Sequence, residues 1–209
     1  MKKVFGALGI LILLIIGALL ILPIIFKDDI VKLVKEEANN SVNAKIDFGD
    51  FDLSLIKSFP DFYFSIHDVK VDGLGNFENV QLANIKEIDL VVDLMSVISG
   101  ESINIKRIAI VSPVINTIVL ADGAANYDIA KTDSTQVEVV EDTTASTPFK
   151  LQLQQFEIVD AVIKYNDATF PMAMEINDFD LNLKGDFTEN ITNLDIKGGM
   201  QQFSLDYDG

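Results

Sequence analysis

The sequence contains no cysteine, and His67 is its single histidine. Without cysteine the chain has no disulfide scaffold, no thiolate metal site and no cysteine nucleophile. A single histidine excludes metal sites built from several histidines. The sequence also contains no G-x-x-x-x-G-K-[ST] phosphate-binding loop and no G-x-S-x-G nucleophile motif. We therefore expect no enzymatic activity, no metal and no cofactor.

Basic residues are scarce as well. The 209 residues include 16 lysines and arginines against 32 aspartates and glutamates, which gives a net charge of -16. A chain this acidic repels the phosphate backbone, so a nucleic-acid-binding function is excluded. An acidic surface also gives no help in docking to anionic lipid head groups.

Hydrophobic residues are concentrated at the amino terminus, where residues 4–26 form one unbroken apolar run. This run exceeds the ~20 residues that a helix needs to cross a bilayer. A cleaved signal peptide has a shorter apolar core of ~7–15 residues and a small-residue cleavage site, and neither feature is present here. We expect residues 1–26 to be an uncleaved transmembrane anchor.

The orientation of this anchor follows from its flanks. Lys2 and Lys3 favour a cytoplasmic amino terminus. Four lysines after the run count against that orientation: Lys27, Lys32, Lys35 and Lys45. Long domains translocate largely regardless of charge. We expect the body of the protein to lie outside the cytoplasm.

The remainder of the chain predicts a mainly β protein with one short helix. Apolar residues at helical spacing predict a helix from Lys27 to about Val42. From Lys45 onward they alternate every second residue, which predicts roughly a dozen strands with one apolar face each. The alternation changes phase at residues 49–50, 67–68 and 106–107, and such shifts are typical of β-bulges and of a curved sheet. Residues 95–100 predict a single helical turn between two strands.

Composition divides the chain into four parts. After the anchor, residues 27–130 predict a short helix followed by a β domain. Residues 131–148 are acidic, rich in threonine and serine and nearly free of large apolar residues, so they predict a linker or long loop. Residues 149–209 resume the strand pattern and predict a further β repeat, which we expect to be truncated because it stops within a sheet.

The apolar faces of these strands need a cover, and a single short helix is too little to provide one. Either two sheets pack as a β-sandwich, or one curved antiparallel sheet forms a groove that holds something apolar. The alternation of residues leaves both architectures open.

Three polar groups have simpler explanations than a functional site. Asp68, Asp72 and Gly73 are partly similar to a calcium loop, but Asn79 stands where the loop needs a carboxylate. The neighbours His67 and Asp68 have no nucleophile or metal to serve, so we interpret His67 as a bulge residue. A third group is interpreted as the solvated face of a strand: Asp178, Asp180 and Asn182.

The order of several segments is more specific than any single motif. They are residues 51–60 (FDLSLIKSFP), 64–71 (FSIHDVKV), 83–101, 103–108 and 113–115, followed by Gly123, Asn126 and Tyr127. In this order the chain resembles the amino-terminal region of the AsmA family over residues 1–130. Residues 149–207 look like a continuation of the same family. Tyr127 departs mildly from the pattern, since family members often carry tryptophan there.

The resemblance implies a fold and a function. AsmA-like proteins are anchored in the bacterial inner membrane, have a periplasmic body, and are related to TamB and to the bridge-like lipid-transfer proteins. Their repeated β units form a groove with an apolar inner face, which implies non-enzymatic transport of phospholipid and support of outer-membrane assembly. Phospholipid, the inner membrane and a periplasmic or outer-membrane protein are the implied partners.

The alternation of the first strands predicts which residues line such a groove: Phe62, Phe64, Ile66, Ile88, Leu90, Val92, Ile103 and Ile105. The alternative function is a membrane-tethered structural or interaction module that assists outer-membrane protein assembly. Such a module has a dry core and binds no lipid.

Overall fold

Strands dominate the fold, as the alternating residues predict. The structure, a computed structural model, describes residues 27–99, 104–131, 153–185 and 193–207. Nine strands lie within these ranges, and all of them belong to one sheet. Their bounds are β1 (Lys45–Asp47), β2 (Phe51–Ser54), β3 (Phe62–Asp72), β4 (Gln81–Val92), β5 (Ile105–Val119), β6 (Gln155–Asp167), β7 (Met172–Lys184), β8 (Asp195–Gly199) and β9 (Gln202–Tyr207).

Two α-helices accompany the sheet, α1 (Lys27–Ser41) and α2 (Leu94–Ser99). They match the predicted helix and the predicted helical turn. Within the described ranges, no helix combines the length and the apolar character that crossing a membrane requires. The predicted anchor at residues 4–26 lies outside those ranges.

The strands follow one another across the sheet in chain order. β1 and β2 both pair with one edge of β3, then come β4, β5, β6 and β7, and β8 and β9 share the far edge of β7. The described strands therefore form one open sheet rather than the two sheets of the sandwich alternative. A residue's partners on the two neighbouring strands lie on the same face of the sheet.

The pairing of β5 with β6 corrects the prediction of an antiparallel sheet. These two strands are parallel, whereas the other pairs are antiparallel, so the sheet is mixed. Alternation of side chains is the same in both kinds of pairing, so the sequence pattern could not reveal the difference. A parallel pair needs a long crossover connection. Residues 120–154 provide this connection, and most of the predicted linker lies in its part outside the described residues, 132–152.

Backbone irregularities recur at one level in four of the long strands of the sheet. Asp68, Ser112, Asp160 and Asp178 have φ angles of 54°, 47°, 55° and 51°, and they lie at matching positions of four strands. The break between β1 and β2 and the break between β8 and β9 extend this line to both edges. A left-handed residue in a strand shifts the alternation by one residue. In these four strands the shift keeps the apolar residues on both sides of the line on one face.

Two of the predicted phase shifts, at residues 49–50 and 67–68, fall on this line. The third corresponds to a separate bulge, where Val91 pairs with Arg107 and Val92 with Ile105, so that Lys106 is the extra residue. The irregularities at Ser112, Asp160 and Asp178 were not predicted. Asp178 is the left-handed residue of β7, and Asp160 N donates a 2.9 Å hydrogen bond to the neighbouring Asp180 Oδ1. The interpretation of Asp178, Asp180 and Asn182 as the solvated face of a strand stays a prediction.

Helix α1 packs against β1 and runs antiparallel to it. The Asn39 amide exchanges hydrogen bonds of 2.7 and 2.8 Å with the backbone of Ile46, and Lys35 Nζ lies 2.6 Å from Asp47 Oδ1. Near the carboxyl-terminal end of the helix, Lys131 Nζ also donates to the backbone oxygens of Asn39 and Asn40. The amino-terminal end of α1 is therefore directed toward the end of the sheet where β2 finishes and β3 begins.

That end of the sheet is held together by Lys106. Its ammonium lies 2.9 Å from Asp61 Oδ1 in the β2–β3 loop and 2.6 Å from Asp93 Oδ2 before α2. Burial lowers the pKa of Lys106, but hydrogen bonds to Asp93 and Asp61 outweigh it and leave the pKa raised. The hydrogen bond from Lys106 is also the largest cause of the lowered pKa of Asp93.

We expect Lys106→Met to destabilise the protein by about 2 kcal/mol at neutral pH, since charge-assisted hydrogen bonds contribute roughly that much. The pKa of Asp93 is lower in the folded protein than its ordinary value of 3.8. The ionised Asp93 carboxylate therefore stabilises the fold fully above pH 3.8, and this stabilisation is lost as the pH falls through the pKa of the folded state. The loss in melting temperature caused by Lys106→Met should therefore shrink below about pH 4.

The matched control is Lys164→Met, since Lys164 Nζ is 3.9 Å from Glu175 Oε1 and both side chains are more exposed. It should cost well under 1 kcal/mol, as exposed ion pairs do. Equal losses in melting temperature for the two variants would contradict the role given to Lys106.

Candidate functional site

Apolar side chains form continuous rows across the sheet, one residue from each of seven strands. Partner registers connect the first row through β2, β3, β4, β5, β6, β7 and β8. Its members are Leu53, Phe64, Leu90, Ile108, Phe156, Leu183 and Ile196. We call the side of the sheet that carries this row the apolar face.

A second row runs beside the first, two residues along each strand. It consists of Phe51, Ile66, Ile88, Ile110, Ile158, Leu181 and Gly198. Beyond the line of irregularities a third row crosses the sheet from β1 to β9. It consists of Ile46, Val71, Ala83, Ile115, Ile163, Ile176 and Phe203. None of these positions carries a polar side chain.

The residues predicted to line a groove fall on this face. Phe62 pairs with Val92, Phe64 with Leu90, and Ile66 with Ile88, while Val92 also pairs with Ile105. The eighth residue, Ile103, lies outside the described residues. The register therefore brings seven of the predicted residues together, and their role in lipid binding stays a prediction.

Burial divides these seven residues into two groups. Phe62 and Val92 are only 5% and 4% exposed, so they belong to the core of the sheet. Phe64, Ile66, Ile88, Leu90 and Ile105 are partly exposed. Since all nine described strands lie in one sheet, no second sheet among them covers this face. The partly exposed group is therefore available to an apolar ligand.

Several members of the rows come from strands after the linker and were not among the predicted residues. Phe156, Leu183 and Ile196 extend the first row to the far edge of the sheet. The sequence did indicate that these residues lie on an apolar strand face, because residues 149–207 alternate in the same way as the earlier strands. Only the parallel pairing of β5 with β6 shows that both halves of the chain share one face.

The opposite face is polar and its side chains are paired with one another. Tyr63 Oη donates a 2.6 Å hydrogen bond to Asp89 Oδ1, and Ser65 Oγ donates one of 2.6 Å to Glu87 Oε1. Burial, followed by the bond to Asp89, raises the pKa of Tyr63. The bond from Ser65 is the largest cause of the lowered pKa of Glu87. These hydrogen bonds make this part of the opposite face a polar surface.

Polar groups singled out in the sequence have structural roles. His67 Nε2 lies 3.1 Å from Asp52 Oδ2 on the neighbouring strand. Asn126, part of the family resemblance, is 3% exposed, and its amide accepts from Ile118 N and donates to Asn116 O. Across the described ranges, no group of three histidine, aspartate or glutamate side chains is arranged to hold a metal ion.

Comparisons with known proteins complete the description of this site. The model of the AsmA family matches residues 1–202, which is nearly the whole chain. No curated protein and no solved structure matches the sequence. The family match agrees with the order of segments noted in the sequence, and it is consistent with a role in outer-membrane and lipid-related processes. The chain belongs to the AsmA family.

Proposed function

We propose that this protein binds phospholipid on its apolar face and supports phospholipid transport to, and assembly of, the bacterial outer membrane. In this proposal residues 4–26 anchor it in the inner membrane, its amino terminus is cytoplasmic and its body is periplasmic. Its action is binding and transfer without catalysis. The proposal is supported by the membership of the chain in the AsmA family.

The observation that carries the proposal is the set of uninterrupted apolar rows on one face of an open sheet. Seven strands at ~4.8 Å spacing make each row about 29 Å long. One leaflet of a bilayer core is about 15 Å thick, so an acyl chain fits along a row with room to spare. Each methylene that leaves water for such a surface contributes about 0.8 kcal/mol.

Residue exposure supports the same assignment. Leu90 and Phe64 are partly exposed in the middle of the sheet, and Ile196 is 62% exposed near its edge. A globular core made only for stability would bury such side chains against a second layer. An acyl chain lying on the rows supplies that layer and removes the apolar surface from water.

Site-specific photo-cross-linking tests the proposal in the full chain. Phe156, on the first row, is replaced by p-benzoylphenylalanine, an aromatic substitution that suits its position. The protein is expressed in bacteria whose phospholipids carry radioactive phosphate and is irradiated in intact cells. We expect a labelled phospholipid adduct at Phe156.

Asn84 provides the matched control, because it is exposed on the opposite, polar face of β4. The same photoreactive residue at Asn84 should give little or no phospholipid adduct. Equal adducts at the two positions, or none at Phe156 in a folded protein, would contradict the proposal. A protein adduct in place of lipid at Phe156 would favour the alternative, a tethered module for outer-membrane protein assembly.

A further inference from the structure

Four strongly exposed apolar side chains lie at the end of the sheet where β2 finishes and β3 begins. Ile56 and Phe59, in the β2–β3 loop, are 85% and 82% exposed. Met95 and Ile98, on α2 between β4 and β5, are 67% and 58% exposed. Two segments that are distant in the sequence thus present large apolar groups at one end of the molecule. We call these four residues the apolar tip.

The two segments of the tip are fixed to each other. Lys106 bridges Asp61, the last residue of the loop, and Asp93, which precedes α2. Within the loop, Asp61 N donates a 2.8 Å hydrogen bond to Ser58 O, and at the start of α2, Ser96 N donates one of 2.8 Å to Asp93 Oδ1. The tip therefore belongs to an ordered part of the protein, in which these bonds fix the loop and α2 to each other while the four apolar side chains stay exposed.

The charge of the tip differs from that of the rest of the protein. In a chain with 32 acidic residues, residues 53–60 and 94–100 contain none. The carboxylates that directly follow residues 53–60 and directly precede residues 94–100, Asp61 and Asp93, are both paired with Lys106. Lys57, whose Nζ lies 4.5 Å from the centre of the Tyr63 ring, is the one charged residue among residues 53–60. This surface lacks the acidic groups that anionic head groups would repel.

The position of the tip points to one occupant. Helix α1 is directed with its amino-terminal end toward this end of the sheet, because Asn39 contacts Ile46 while Lys35 contacts Asp47 one turn earlier. The apolar run at residues 4–26 ends directly before α1 in the sequence. A bilayer entered by that run would begin beside the amino-terminal end of α1, on the side of the sheet that carries the tip.

We propose that the apolar tip inserts into the surface of the membrane that residues 4–26 enter. This inference rests on the anchoring part of the proposed function. Ile56, Phe59, Met95 and Ile98 sit at the boundary between head groups and acyl chains, and Lys57 lies at the level of the head groups. Phe62, Val92 and Ile105, which begin the apolar face, then lie next to the bilayer surface.

Fluorescence quenching tests the insertion, and the absence of cysteine allows single labels without any other change. The variants Phe59→Cys and Met95→Cys of the full chain carry an environment-sensitive label at the tip. Leu74→Cys is the control, since Leu74 is 53% exposed in the loop at the opposite end of the sheet. The proteins are reconstituted into vesicles of phosphatidylethanolamine and phosphatidylglycerol, with or without lipids carrying a nitroxide high on the acyl chain.

We expect nitroxide lipids to reduce the fluorescence of the labels at 59 and 95 to about half or less, since inserted apolar groups reach ~5–10 Å into this boundary. The label at 74 should keep its fluorescence. A fourth variant, Leu13→Cys, reports on the predicted anchor. Quenching at 13 but not at 59 and 95 would overturn the tip proposal and leave anchoring intact.

The remaining outcomes are equally informative. Quenching at 59 and 95 without quenching at 13 supports insertion of the tip and contradicts the anchor. Absence of quenching at all three positions overturns both. Quenching at 74 as strong as at 59 also overturns the proposal, because contact would then not be confined to the tip.

Discussion

Replacing Ile88 and Leu90 together by aspartate is expected to reduce phospholipid cross-linking from Phe156 by at least roughly tenfold, which corresponds to about 1.4 kcal/mol. Both residues lie on the apolar face, where Ile88 pairs with Ile66 and Ile110. Two carboxylates there would have to lose water without a partner when an acyl chain binds, and this desolvation is strongly unfavourable. Both side chains are partly exposed, so the sheet itself tolerates the charges better than it would at Val92.

The control is Asn84→Asp combined with Asn166→Asp. It adds the same two negative charges at exposed positions of the polar face. Cross-linking from Phe156 should be unchanged in this variant, and circular dichroism should show the same strand content in both. If the Ile88 and Leu90 variant folds and cross-links phospholipid like the original chain, the apolar face is not the lipid site.

A second large effect is expected from Phe62→Ala, which should destabilise the protein by about 3 kcal/mol. Phe62 is 5% exposed, pairs with Val92, and its ring centroid lies 6.2 Å from that of Phe64. Removing the ring leaves a cavity beside Val92, which is buried as well. The measurement is the denaturant midpoint of the full chain, followed by circular dichroism.

Ile196→Ala is the comparison for this prediction, because Ile196 belongs to the same face but is 62% exposed. It should lower stability by well under 1 kcal/mol, as exposed substitutions usually do. Similar midpoints for the two variants would mean that Phe62 is not part of the core. The two stability measurements together distinguish residues of the apolar face that stabilise the sheet from residues that are exposed and can contact a ligand.

The apolar face could be predicted from the sequence to a large extent. Phe64, Leu90 and Ile105 recur at every second position of their segments, and this spacing alone places them on one side of a strand. The bulges at residues 49–50 and 67–68 were also visible, because the apolar pattern changes phase there. The family assignment rests on the order of the same segments, and the family match supports it.

Other features were not available from this pattern. The alternating pattern predicts the same exposed, ligand-facing position for Phe62 and Phe64, although Phe62 is buried and Phe64 is partly exposed. Burial depends on which residues surround a side chain in three dimensions. The left-handed residue Ser112 was missed because the stretch after it is nearly continuously apolar and shows no clear change of phase. Around Asp160 the pattern does change phase, from Phe156 and Ile158 to Ile163 and Tyr165, so a signal for that irregularity was present.

The sequence by itself determined that this chain forms strands with one apolar side, and that it belongs to a family of β-rich proteins. Only the tertiary structure decided that the described strands join in a single mixed sheet, with β5 parallel to β6. The reason is physical: side-chain alternation is a local property of each strand, whereas the choice of partner and direction depends on long connections such as residues 120–154. That choice places Phe156 beside Ile108 and makes one continuous apolar face from two halves of the chain.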